Sequence, residues 1–332
     1  MAYWWPLLLG ASALGTWLAL GYARRRSLLD APGERRSHAV PTPRGGGIAV
    51  IGVLLATGIL MAWRQESLSA FWVAFSLGLF LVGGVGWWDD HRPLSARLRL
   101  VVHVVAGSLL GIGMLLAGAE WKAAVVCGSL AVILINVWNF MDGINGIATT
   151  QFVLVTLMAW LTWGDGVSML ALACVAAGLG FLPFNFPRAR IFLGDVGSGG
   201  MGFALAGLYG LSLLAGSPAP ETGLVLISAF LLDAGLTLAR RAWRGEAWWT
   251  AHVQHAYQVW ARSVDQHVPV TLGFAAWTEC GALSAIHLTA SAPQFMRAFV
   301  AAWYISGALL WWFLQNRYAH CRLPHAADSR DG

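Results

Sequence analysis

Charge is scarce in this chain of 332 residues: Asp, Glu, Lys and Arg together make 11%, against about 25% in an ordinary soluble domain. With 58% hydrophobic residues and 19 tryptophans beside so little charge, water is excluded as the natural solvent and a bilayer is implied. Cysteine is equally sparse. Cys127, Cys174, Cys280 and Cys321 form no C-x-x-C pair and three of them lie in apolar runs, which excludes a disulfide framework, a cysteine zinc site and thiol redox chemistry. No short-period repeat is visible. No basic residue precedes the first apolar run, whereas Arg24, Arg25 and Arg26 follow it at once. A cleavable signal peptide has the reverse order, so this run is expected to remain as a membrane span.

Apolar runs cover residues 3–23, 46–63, 69–87, 98–118, 123–138, 147–163, 167–184, 199–215, 224–239, 270–290 and 296–314. The fold class expected is all-α, a polytopic membrane protein of eleven helices. At about 20 residues per span these consume roughly 220 residues, leaving no room for a separate soluble domain, so residues 1–332 read as one transmembrane domain.

The net charge of +5 reports orientation and not nucleic acid, because of where the positive charges fall. With the N-terminus outside, the inside segments are 24–45, 88–97, 139–146, 185–198, 240–269 and a C-terminal tail from 315. Counting Arg99, which abuts the second of these, they hold 18 of the 21 Lys and Arg; only Arg64, Lys122 and Arg297 fall outside. Basic loops stay in the cytoplasm. The chemistry is therefore expected at the cytoplasmic face, since the outside turns are short and carry no clustered polar residues.

Each inside segment holds polar residues in excess of what a loop requires. Asp89 and Asp90 end the third run. Neighbours on a helix diverge by about 100°, so the two carboxylates suit two roles, or else pair with Arg92 and Arg97 at a solvated helix end. The fifth run ends in NVWNFMDGINGIA, where Asn136, Asn139 and Gly143 follow i, i+3, i+7 spacing beside Asp142 and Asn145. This suits a metal or a ribosyl phosphate; a capped helix end is the alternative. In FLGDVGSGG, Asp195 stands at the mouth of a glycine-rich turn with Ser198, placed either to hold a hard cation or to cap the next helix.

The longest inside loop brings Arg240, Arg241 and Arg244 near His252 and His255, which would share a face if helical and would clasp a pyrophosphate; a zinc site, which lacks a third ligand of obvious spacing, and an interfacial helix with Trp248, Trp249 and Trp260 at headgroup depth are the alternatives. In the first inside loop Arg35, Arg36, His38 and Arg44 accompany Pro41, Pro43 and the Gly45–Gly47 run, which reads as a rigid turn facing an anion. Two acids fall within spans, Asp233 and Glu279, and an intramembrane carboxylate is functional by default. Asp233 is expected to orient Arg240 or Arg241, and Glu279 has no evident partner. Gly202 and Ala206 form a small-residue stripe suited to close helix packing within the chain or in a homodimer.

Taken in order, PTPRGGG, WWDD, NVWNFMDGINGIA, FLGDVGS and AHVQHAYQ resemble the polyprenyl-phosphate N-acetylhexosamine-1-phosphate transferases of glycosyltransferase family 4 along nearly the whole chain. The resemblance implies a bacterial inner-membrane enzyme with its active site on the cytoplasmic side, joining UDP-N-acetylhexosamine to undecaprenyl phosphate with Mg²⁺ or Mn²⁺ as cofactor. It implies Asp89 and Asp90 as the catalytic aspartate pair, Asp195 and Asn139 as metal-binding, and Asn136, Asp142 and Asn145 on the nucleotide sugar, with Asn145 at the uracil. His252, His255 and Arg244 are implied at the pyrophosphate, and Arg44 and Gly45 at the lipid phosphate or nucleotide. Asn145 and the spaced histidine pair depart from the muramoyl-pentapeptide branch, which carries an aspartate and three consecutive histidines there. The likeness is closer to the branch that initiates O-antigen and related surface glycans. From the residues alone, a polytopic anion transporter using Asp233 or Glu279 is the rival; transporters place such groups near midplane, often in repeats.

Overall fold

The computed structural model describes residues 4–30, 40–216, 220–247, 250 and 252–318. Arg35, Arg36, His38, Trp248, Trp249, Cys321 and the rest of the tail lie outside the described residues. Among those described there are twelve α-helices: α1 (Trp5–Arg25), α2 (Ile48–Arg64), α3 (Ser69–His91), α4 (Ala96–Leu116), α5 (Trp121–Met141), α6 (Ile147–Thr162), α7 (Ser168–Asn185), α8 (Gly194–Leu214), α9 (Pro220–Trp243), α10 (Ala256–Val264), α11 (Val268–Ser291) and α12 (Met296–Arg317). Two short strands, β1 (Leu29–Asp30) and β2 (Thr42–Pro43), pair antiparallel with Leu29 opposite Pro43.

The protein is therefore an all-α polytopic membrane protein. Eight of the described helices are long and apolar enough to cross a bilayer. Each of the eleven apolar runs falls on one helix, but α2 and α6, with 17 and 16 residues, are shorter than those eight, and α11 is not among them. At 1.5 Å per residue the 16 residues of α6 span about 24 Å, less than the roughly 30 Å of a hydrocarbon core. The remaining helix, α10, is a nine-residue segment inside the long 240–269 loop.

Helix α8 is the axis of the bundle: 89% of its span is buried, against 22% for α1 and 11% for α12. It packs against α5 and α3, and α4 and α2 close the layer around it, while α7 lies between α1, α2 and α6. Helices α9, α11 and α12 form a flanking group joined to the rest through α6 and α5. Backbones pack closely where side chains are small, and α8 carries seven glycines. At Gly202 an added Cβ would strike the Leu134 carbonyl of α5. The Gly202 and Ala206 stripe thus serves packing inside the chain, and the Cys127 thiol donates to the Ala206 carbonyl at 3.4 Å. Glu279 is exposed on the outer side of α11.

Candidate active site

The cleft begins with a backbone stitch. Strand β2 and the glycines after it run beside the segment that leads into α8: the Phe192 amide donates to the Pro43 carbonyl (2.8 Å), Gly46 to Phe192 (3.0 Å) and Gly47 to Leu193 (2.8 Å). The glycine turn is held in place by these backbone hydrogen bonds. Its Gly46 and Gly47 amides, however, are spent on carbonyls, and the Arg44 side chain beside the turn lines the cleft with its Nε buried and without a hydrogen-bond partner. Gly45 (φ +88°) and Gly194 (φ +75°) occupy the left-handed region back to back, where a Cβ on Gly194 would press into Gly45 and the Asp90 carboxylate.

At the end of α3 the two aspartates do separate work. Asp90 is buried and receives the first amides of α8, from Asp195 N–H on Oδ1 (3.1 Å) and Val196 N–H on Oδ2 (3.3 Å). It therefore supplies the helix cap that the sequence offers as a role for Asp195. Asp89 accepts from the Leu94 amide (2.6 Å) and from Arg99 Nη1 (3.0 Å), and the same Arg99 nitrogen reaches Asp195 Oδ2 at 2.7 Å. The helix-end partner of Asp89 is thus Arg99, not Arg92 or Arg97. Asp90 and Asp195 line the cleft; Asp89 stands behind it.

Helix α5 ends at Met141, so the i, i+3, i+7 alignment of Asn136, Asn139 and Gly143 breaks before Gly143. Asn139 faces the cleft and donates to Ser198 Oγ (3.2 Å), whereas Asn136 donates to its own Val132 carbonyl (2.7 Å) and stays out of it. Asp142, in the turn beyond the helix, lines the cleft; burial, then the negative charges of Asp195 and Asp90, push its carboxyl up to about 8. Asn145 is pinned from three directions, donating its amide to His267 Nδ1 (3.3 Å) and its side chain to the Pro187 carbonyl (3.1 Å) while accepting from Thr271 (2.9 Å). The cleft encloses about 220 Å³.

The structure does not bring His252, His255 or Arg244 to this cleft. Helix α10 starts at Ala256, so His252 precedes it and His255 is its N-cap; the ring centroids lie 4.7 Å apart at a 37° tilt, but the two share no helix face. Burial, then His255 and Arg241, lower His252 to about 3, so its imidazole is neutral and offers hydrogen bonding rather than charge. Arg244 is exposed. In their place Gln258, from α10, and His267, which caps α11, form that wall. Sequence reasoning missed these two, together with Asp30, Asn185, Phe192 and Arg99. The only signal was that Gln258 closes the AHVQHAYQ motif and that Asn185 and Phe192 frame the segment before Asp195.

Three carboxylates around one cleft make a donor set for a hard cation. Asp90, Asp142 and Asp195 reinforce one another's negative potential, and Asn139 and Ser198 add neutral oxygens. Among the described residues no three His, Cys, Asp or Glu side chains converge as a preformed cage. Mg²⁺ commonly takes one or two carboxylates and completes its shell with water and substrate phosphate, so the residues present fit it.

Comparison with known proteins places this geometry in context. Residues 72–212 match the model of glycosyl transferase family 4, a range that holds the aspartate pair, the α5 turn and Asp195. The chain is 27% identical over 322 residues to a decaprenyl-phosphate N-acetylglucosaminephosphotransferase of Mycobacterium leprae, covering 80% of this chain and 79% of that protein. It is 29% identical over 238 residues to a probable undecaprenyl-phosphate N-acetylglucosaminyl 1-phosphate transferase of Bacillus subtilis, covering 64% of each. With a phospho-N-acetylmuramoyl-pentapeptide-transferase of Synechococcus it shares 33% over 232 residues, 60% of this chain and 66% of that one.

Proposed function

Because the chain belongs to glycosyl transferase family 4, we propose that it transfers an N-acetylhexosamine-1-phosphate from a UDP-sugar to undecaprenyl phosphate at the cytoplasmic face of a bacterial inner membrane. An oxygen of the lipid phosphate attacks the β-phosphorus of the nucleotide sugar, a new P–O bond forms, the bond to the bridging oxygen breaks, and UMP leaves. The product is the lipid-linked diphosphosugar that opens a surface glycan such as O-antigen. The observation that carries this reading is the convergence of Asp90, Asp142, Asp195 and Arg44 on one cleft, at the ends of α3, α5 and α8 that share a side of the bundle.

Phosphoryl transfer rests on positioning and charge neutralisation. Asp195 and Asn139 would hold Mg²⁺, which would supply Lewis-acid neutralisation of the diphosphate charge. Arg44 faces the same cleft with an unsatisfied donor and takes phosphate charge. Asp89 orients Arg99; a lipid phosphate is largely ionised at neutral pH, so it needs no strong base. Asp90 holds the start of α8, and with it the Asp195 backbone. Asp142 and the pinned Asn145 form the nucleotide-sugar wall, with Asn136 behind Asn139. His252, His255 and Arg244 flank that wall in the late loop.

The topology proposed with it has eleven crossings, the N-terminus outside and the C-terminus cytoplasmic. A lipid phosphate resides at headgroup depth and a nucleotide sugar in the cytosol, so a site built where helices end serves both. Purified protein should release UMP from a UDP-N-acetylhexosamine only when polyprenyl phosphate and Mg²⁺ are both present. Release without the lipid, or no release with any sugar of a UDP-N-acetylhexosamine panel, would overturn the reading.

A further inference from the structure

Asp233 sits inside α9 and is 3% exposed. Arg241 pairs with Glu246 (2.8 Å) and Arg240 lies over the Trp311 ring (5.0 Å). The Asp233 carboxylate instead accepts the first two amides of α10: Ala256 N–H on Oδ1 at 2.7 Å and Tyr257 N–H on Oδ2 at 3.0 Å. Thr237, one turn along α9, donates to Oδ1 at 3.2 Å and fixes the acid's rotamer.

A nine-residue helix is too short to hold itself together in water; isolated helices below about 12–15 residues are marginal. Its leading amides have no partner within the helix, and a carboxylate placed on them meets both that need and the favourable end of the helix dipole. Asp233 does this from a neighbouring helix buried in the bundle. The second tether of α10 is Tyr257, whose hydroxyl donates to the Phe140 carbonyl (3.0 Å), one residue past Asn139. Gln258 comes next, reaches the cleft, and accepts the His255 amide on Oε1 (3.3 Å).

We infer that Asp233 is a latch that holds α10 against the cleft, a positioning residue for the substrate wall that Gln258 supplies. Asp233 touches no substrate. It sets where Gln258 stands by fixing the start of the helix that carries it, and Tyr257 fixes the same helix to the end of α5. The kinetic consequence rests on the proposed sugar-phosphate transfer; the structural consequence does not.

The test compares wild type with Asp233→Asn in detergent, reading hydrogen–deuterium exchange over peptides spanning α9, α10 and α11, and then UMP release against UDP-sugar concentration. Asparagine keeps the size but presents an N–H₂ to one of the two amides. The expected result is lost protection confined to α10, with KM for the UDP-sugar raised about tenfold and kcat changed far less, the pattern of a lost binding wall. Asp233→Glu should restore part of the protection and of the KM. Tyr257→Phe, which cuts the other tether without entering the α9 core, should give the same split in weaker form, and it decides the matter if Asp233→Asn does not fold. Unchanged exchange in α10 overturns the latch. So does protection lost evenly across α9 and α11, which marks a general packing residue. If wild type releases no UMP, the transfer reaction falls while the exchange result still decides the latch.

Discussion

Arg99 Nη1 lies 2.7 Å from Asp195 Oδ2 and 3.0 Å from Asp89 Oδ2, so one guanidinium nitrogen joins α4 to the end of α3 and the start of α8. Both ion pairs are part-exposed, and such a pair contributes only about 1 kcal/mol or less to stability. Its importance lies in what it occupies, since Asp195 is the proposed metal ligand. Arg99→Ala should leave the fold nearly as stable and tighten Mn²⁺ binding in the absence of substrate, because the guanidinium no longer occupies Asp195. Calorimetric titration of Mn²⁺ into both proteins checks the last point, and equal affinities would show that the arginine does not compete for Asp195.

Asp195→Asn should collapse turnover by orders of magnitude and raise the Mg²⁺ needed for any residual rate, because a hard cation loses its anionic oxygen. Asn139→Ala should move the Mg²⁺ curve the same way but less. Initial rates against Mg²⁺ in nanodiscs give both curves. Near-normal rates with an unmoved curve for Asp195→Asn would remove the metal assignment.

The stability effect should appear at the other aspartate. Asp90 accepts the two leading amides of α8, so Asp90→Ala is expected to cost about 1–2 kcal/mol as a lost helix cap, and more if the amides stay dry. Asp89→Asn should cost less and act on turnover through Arg99. Thermal melts of the two variants in one detergent settle the order; equal melting temperatures would contradict the division of labour.

Asp142 sets a pH dependence whose sign follows from its raised pKa. In the folded protein the proton is held up to about pH 8, whereas an unfolded aspartate releases it near 3.8. The contribution to stability is complete below 3.8 and is lost progressively as the pH rises through about 8. Without divalent cation, wild type should melt at lower temperature on the alkaline side of that range, and Asp142→Asn should flatten the profile. A variant profile parallel to wild type would place the titration elsewhere.

Reporters fused after Arg44, Arg92, Arg190 or Gln266 should read cytoplasmic, and one after Gln65 external, if the eleven-crossing topology holds. Opposite readings at Arg92 and Arg190 would separate residues that the cleft requires on one side.

Much of this architecture is legible in the sequence, because apolar runs in a chain with so little charge leave few other choices. The runs locate the long helices, and the motifs at their ends hold Asp90, Asn139, Asp142, Asn145 and Asp195, which line one cleft. What the sequence hides is pairing across distance. Arg99 and Asp195 are 96 positions apart, and nothing local distinguishes Arg99 from Arg92 or Arg97. The spacing of His252 and His255 suggests a helical face, but the helix begins only after His255, where the Asp233 carboxylate supplies its first acceptors. A cap donated by another helix leaves no trace in the segment it caps.

The bond from Asp195 to Asp90 spans 105 positions, and the direction of synthesis gives that separation a meaning. A ribosome delivers about 5–20 residues per second, so α3 emerges on the order of ten seconds before the helix whose amides its terminal acid will receive. During that interval the carboxylate has no α8 to hold, and the cost of drying it keeps the end of α3 at the water boundary. The seat for α8 is thus laid open in advance. A nascent chain halted before Asp195 would already carry Arg44, Asp90, Asn139 and Asp142 but not α8, the helix packed at the centre of the bundle, so assembly of this cleft is a late event in the life of the chain.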